Sequence, residues 1–112
     1  MKLRFTNQEI TSILEQAIIY TCACPAQVCK AINEQRALYK YQENCLNLTD
    51  TDKAVHQLIS DTVASTHAQL EQCLEQILLL EGWDMKTYQM PKAMQKKLLA
   101  EIENTLDSST LK

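Results

Sequence analysis

Residues that stop helices are nearly missing from this chain, which has one Gly and two Pro in 112 residues. Proline removes a backbone donor and clashes inside a helix, and glycine costs about 1 kcal/mol there. Long uninterrupted helices are therefore allowed almost everywhere, whereas a β-rich chain needs more turn residues. The 46% apolar content is far above that of disordered chains, so a packed core can form. A chain of this length fits one domain, and the expectation is a single helical-bundle domain over residues 1–112.

Local signals divide that domain into four helices, at about 6–22, 25–46, 52–80 and 91–106. Thr6-Asn7-Gln8-Glu9 has the form of a capping box, and Ile10, Ile13, Leu14, Ala17 and Ile18 follow at helical spacing. Pro25 suits the first position of a second helix, which places a bend at Cys22-Ala23-Cys24. The second helix carries a loose stripe of Val28, Ile32, Leu38, Tyr39 and Leu46, interrupted by Gln35 and Gln42. The turn-rich run Asn47 to Asp52 leads into a long third helix. Its broad apolar face runs from Val55 through Ile59, Val63, Leu70 and Leu74 to Ile77, with Thr62, Thr66 and Cys73 on it and Glu71, Gln72 and Glu75 off it. Gly82 is placed to stop it, and Pro91 to start a last helix through Met94, Leu98, Ile102 and Leu106. Short connections imply an antiparallel four-helix bundle, up-down-up-down, with helices 2 and 3 longest.

The five cysteines are the main candidates for chemistry. An odd number cannot pair completely within one chain, and the spacing Cys22-x-Cys24-x4-Cys29 is not a standard zinc or iron-sulfur signature. If helices 2 and 3 pair antiparallel about residue 50, position j faces roughly position 100 minus j. Cys73 then lies level with residue 27, so Cys22, Cys24, Cys29 and Cys73 gather at one end of the bundle. Cys45 stands roughly 24 Å from Cys29 along the same helix and is excluded. Three readings stay open: a thiolate-bound metal (zinc, copper or an iron-sulfur cluster), a reactive thiol at Cys24 favoured by the helix dipole, or cysteines that simply pack as small hydrophobes.

Other chemistry finds little support. His56 and His67 project from one side of helix 3 but stand roughly 16 Å apart, so one ion cannot bridge them. His56 lies level with Cys45, a pair without further ligands, and a hydrogen-bonded, partly buried histidine is the plainer account of each. Glu-x-x-His pairs, a phosphate loop, a nucleophile elbow and a His-Glu-x-x-His helix are all missing, which argues against an enzyme. The net charge of -3 with scattered Lys and Arg argues against a nucleic-acid partner. No stretch of about 18 apolar residues and no secretory leader is visible, so the expectation is a cytoplasmic protein without a membrane partner. Trp83, Met85, Tyr88, Met90 and Met94 concentrate aromatic and flexible apolar groups after helix 3, a composition found at protein-binding surfaces and equally suited to plugging the bundle end. The long helix 3 would leave apolar surface uncovered in a monomer. The leading expectation is a small non-catalytic interaction module that self-associates as a homodimer or binds a protein partner; the alternative is a thiol or metal protein.

Overall fold

The computed structural model describes residues 1–20, 23–92, 94 and 95. Among them are three helices and no strand: α1 (Asn7–Ile19), α2 (Ala23–Asn44) and α3 (Asp50–Glu81). The expected four-helix bundle is therefore corrected to three helices among the described residues. Pro91 does open a helical turn, its carbonyl accepting from the Gln95 N–H at 3.0 Å. Residues 93 and 96–106 of the expected fourth helix lie outside the described residues.

α2 is the middle helix and packs against both α1 and α3. Two non-helical segments complete the described core: Phe5 from the N-terminal segment, and Trp83, Tyr88 and Met90 from the segment after α3. These four side chains are buried in one cluster with Ile10, Ile13, Cys29, Ile32, Leu74 and Leu78. The Arg4 and Phe5 N–H groups donate to Glu71 of α3, the Met90 N–H donates to Gln16 of α1 at 3.3 Å, and the Phe5 and Tyr88 rings meet edge to face at 5.7 Å. Large aromatic and flexible side chains carried on irregular backbone thus add burial to the core beside the three helices.

The helix ends follow their local chemistry. Thr6 caps α1 in a complete capping box: its hydroxyl accepts from Glu9 N–H at 3.1 Å and Glu9 Oε1 accepts from Thr6 N–H at 2.8 Å. That contact also holds the Glu9 carboxyl below its usual pKa. Pro25 sits third in α2 instead of first, tolerated because the first four helical N–H groups have no partner within the helix. Thr49 caps α3, and Gly82 ends it in the left-handed region at φ 78. The following loop is organised by Asp84, whose Oδ1 accepts from Lys86 N–H and Thr87 N–H and whose carbonyl accepts from Tyr88 N–H. Those two backbone donors hold the Asp84 carboxyl below its usual value. Tyr88 occupies φ 56, uncommon for a residue with a Cβ, and this conformation aims its ring inward against Phe5.

The buried side of α3 also differs from the expected one. Val63, His67, Glu71, Leu74 and Leu78 face inward, so Glu71 belongs to the interior while Val55 and Cys73 stand exposed. Replacing Phe5 with Ala empties the centre of the plug, and Phe5→Ala should lower unfolding free energy by about 3 to 5 kcal/mol in chemical denaturation followed by circular dichroism. A loss below about 1 kcal/mol would show that the N-terminal segment is not part of the folded core.

Candidate functional site

Buried polar chemistry concentrates where the N-terminal segment crosses α2 and α3. Arg36 of α2 donates from Nε to His67 Nε2 at 3.0 Å, from Nη1 to Asn7 Oδ1 at 2.6 Å, and from Nη2 to the Phe5 carbonyl at 2.6 Å and Glu71 Oε2 at 3.2 Å. The same Glu71 oxygen accepts from the Arg4 N–H at 2.7 Å and the Phe5 N–H at 3.0 Å. A guanidinium has no acceptor, so its bond to His67 Nε2 requires a lone pair there and puts the imidazole hydrogen on Nδ1. Nδ1 makes no well-formed hydrogen bond and stands 3.4 Å from Glu71 Oε1, an ion-pair approach of poor alignment. His67 is fully enclosed; burial pushes its pKa below the ordinary value, Glu71 opposes that shift, and Arg36 reinforces it. Arg36 and Glu71 together hold the backbone of Arg4 and Phe5 against α2 and α3, which marks the cluster as a structural clasp.

The cysteines occupy different environments. Cys29 is buried among the core side chains, and burial pushes its thiol up to about 11, despite the opposing charge of Arg36. Cys24 and Cys73 are exposed, Cys45 is half-buried, and Cys22 lies outside the described residues. No group of three or more His, Cys, Asp or Glu side chains among the described residues is arranged to hold a metal ion. Cys45 and His56 do share a shallow groove, together with Tyr41, Leu46 and Asp52, and His56 Nδ1 lies 2.8 Å from Asn47 Oδ1.

The apolar residues after α3 are turned inward. Trp83, Tyr88 and Met90 are buried, while Met85 and Met94 pack half-exposed against the same cluster, and the Trp83 indole N–H donates to Glu81 at 2.8 Å. Exposed apolar side chains occur on all three helices, Ile18 and Ile19 of α1 and Leu79 and Leu80 of α3 among them, and a group of them lies at the turn end of the α2–α3 hairpin. Leu38 is 40% exposed, Tyr41 67%, Leu46 74%, Leu48 79%, Val55 46% and Leu58 67%. Polar groups meanwhile fill the seam between the two helices there. The Thr66 hydroxyl donates to Gln35 Oε1 at 2.6 Å, and the Gln42 carbonyl oxygen is buried without a partner among the described residues. Polarity is thus inverted over this part of the molecule, with amides inside and leucines outside.

Helical geometry shows how that surface is laid out on α3. At 100° per residue, Val55, Ile59, Thr62, Leu70, Cys73 and Ile77 all project within about 40° of the direction of Thr66. Lys53, Asp61, Glu71 and Glu75 all project at least about 140° away from it. None of the residues along the stripe is buried. Between Val55 and Ile77 a strip without charge therefore runs along α3, on the border between the seam with α2, where Thr66 bonds Gln35, and the exposed side that carries Val55, Thr62 and Cys73. Sequence reasoning placed several of these residues on one face; what it lacked was the direction of the core, which the clasp around Glu71 fixes.

Comparisons with protein-family models, curated proteins and solved structures find no match to this chain. No helix among the described residues is long and apolar enough to cross a membrane.

Three outcomes follow from the clasp and the thiols. His67 has a lowered pKa in the folded state, so the unfolded chain binds the extra proton first. Stability is fully present above about pH 6.5 and declines as pH falls below it. Denaturation midpoints between pH 7 and 5 should show this slope, and His67→Gln should flatten it; an equal slope in the variant would assign it elsewhere. Removing the carboxylate in Glu71→Ala strands the largely buried Arg36 and should cost about 3 to 5 kcal/mol. In alkylation at pH 8, Cys24 and Cys73 should be modified first and Cys29 only on unfolding, as mapped by peptide mass spectrometry.

Proposed function

We propose that this chain is a small, non-catalytic helical interaction module that self-associates through the exposed apolar residues of its α2–α3 hairpin. The observation that carries the reading is the inverted polarity of that hairpin: Leu38, Tyr41, Val55 and Leu58 face outward while Gln42 is buried. Contiguous exposed apolar surface on a folded domain marks contact with another macromolecule more often than it marks nothing. The buried Arg36–His67–Glu71 cluster supports a scaffold role for its side of the molecule, because the guanidinium and Glu71 Oε2 are taken up by contacts that hold the N-terminal segment.

Sedimentation equilibrium over a range of concentrations tests the reading. The wild-type chain should show reversible association, and Leu58→Glu, which adds a charge at an exposed position, should shift it to monomer by at least tenfold in dissociation constant. Circular dichroism and melting should remain close to wild type in that variant, since Leu58 is 67% exposed. A strictly monomeric wild type, or association indifferent to Leu58→Glu, would sink the proposal.

A further inference from the structure

The clasp joins a titratable ring to the backbone of the N-terminal segment through one side chain. His67 is fully enclosed, and its Nε2 accepts from Arg36 Nε at 3.0 Å. The same guanidinium holds the Phe5 carbonyl at 2.6 Å and Glu71 Oε2 at 3.2 Å, and that carboxylate oxygen holds the Arg4 and Phe5 N–H groups. We infer that residues 1–5 form a proton-released strap: protonation of His67 displaces Arg36 and shifts these residues from the core to solvent while the helices stay folded. The inference stands independently of self-association.

The added proton has one place to go. The bond from Arg36 puts the neutral ring's hydrogen on Nδ1, so a second proton must take the Nε2 lone pair, where it faces the Arg36 N–H along a 3.0 Å line. Two donors, both then cationic, cannot share that line. Charged groups act on the ring from three elements. Arg36 of α2 and the N-terminal ammonium of the strap disfavour the imidazolium, and Glu71 of α3 favours it. Glu71 Oε1 lies 3.4 Å from Nδ1, which is buried without a hydrogen-bond partner among the described residues. Protonation thus drives the guanidinium away from Nε2 and draws the carboxylate toward Nδ1, and these are the two groups that hold the backbone of Arg4 and Phe5.

The release is confined by what lies on either side of Phe5. Thr6 is tied to Glu9 through the capping box, and the Glu9 carboxyl sits below its usual pKa, so the start of α1 stays capped over the range in which a histidine titrates. Before Phe5 the other ties are an exposed Arg4–Glu75 ion pair at 3.3 Å and the Arg4 guanidinium over the Phe5 ring at 4.9 Å, surface contacts that hold weakly. The hinge therefore lies between Phe5 and Thr6. Packing of α2 against α1 and α3 does not pass through the strap and survives its departure. What opens is the seat beside the Tyr88 ring, 5.7 Å from that of Phe5.

Amide exchange and ring signals followed by NMR in the full-length chain test the strap. One proton taken up on opening raises the open population by up to about tenfold per pH unit below the ordinary histidine value of about 6.5. With the intrinsic pH dependence of exchange removed, protection of the Phe5 amide should fall about tenfold between pH 7 and 5, while the Leu74 and Leu78 amides keep theirs. His67→Gln, whose side-chain oxygen can accept from Arg36 but takes no proton, should hold Phe5 protected across the range, and His56→Gln should behave as wild type. Should His67→Gln fail to fold, the wild type alone decides: its Phe5 and Tyr88 ring signals should shift with the midpoint of the His67 ring and not with that of His56. Phe5 protection that ignores pH, that falls equally in a folded His67→Gln, or that is lost together with Leu74 and Leu78 overturns the strap, as do Phe5 and Tyr88 rings indifferent to His67. Each of these outcomes leaves the result of sedimentation untouched.

Discussion

One buried guanidinium, that of Arg36, connects the N-terminal segment, α2 and α3. It gives hydrogen bonds to Phe5, Asn7, His67 and Glu71, and Glu71 in turn takes the N–H groups of Arg4 and Phe5. Burying an ion pair costs desolvation, and an apolar pair of similar size would hold two helices together as well. What an apolar pair cannot do is fix an irregular segment whose backbone donors need acceptors away from water. Here the carboxylate supplies those acceptors and the guanidinium supplies donors for the carbonyl side. Phe5 is thereby held at the centre of the core, Tyr88 packs against it, and the loop from Trp83 to Met90 finds its seat.

That arrangement makes the hairpin unequal along its length. Near the clasp, Cys29, Ile32, Leu74 and Leu78 are covered by α1 and by the two irregular segments. Farther out, the interhelical seam is made by Gln35, Gln42, Thr66 and His56, groups that satisfy one another or remain short of a partner. Amides in a seam cannot supply the burial free energy that leucines would, so the leucines outside it represent stabilisation this monomer leaves unused. An isolated pair of helices with a polar seam is marginal, and covering its outer face with apolar groups is the direct way to add the missing burial.

Local features were legible in the sequence, because each is decided by a few adjacent residues. Thr6 with Glu9 announced the start of α1, the run from Asn47 announced a turn, and Gly82 announced the end of α3. Long-range choices were not. Glu71 sits beside apolar neighbours on a helical wheel but counts as polar in any pattern, and only the arrival of Arg36 and of two backbone N–H groups, 35 and more residues away, makes its burial favourable. The same event turns the core-facing side of α3 toward His67 and Leu78, which leaves Val55, Thr62 and Cys73 off the core. The four-helix expectation rested on Pro91 as a helix start, and among the described residues only three helices form; what a regular pattern does not register is that Phe5, Trp83, Tyr88 and Met90 enter the core from irregular backbone. Of the cysteines, register reasoning did place Cys45 beside His56, whereas the burial of Cys29 and the exposure of Cys73 required knowing which way each helix is turned.

The separation of the clasp from the uncharged strip has a consequence for how the proposed interface behaves. Glu71 and Thr66 project about 140° apart on α3, so protonation of His67 loosens the tie to the N-terminal segment on one side while the strip keeps its composition on the other. The strip itself mixes Val, Ile and Leu with Thr and Cys. Such a surface tolerates water better than a continuous leucine seam does, and resembles exchanging interfaces, which are barely more apolar than the surrounding surface. A face of this kind suits the proposed reading of a chain that folds first around its clasp, with the unused apolar surface of the hairpin as the driving force for any association that follows.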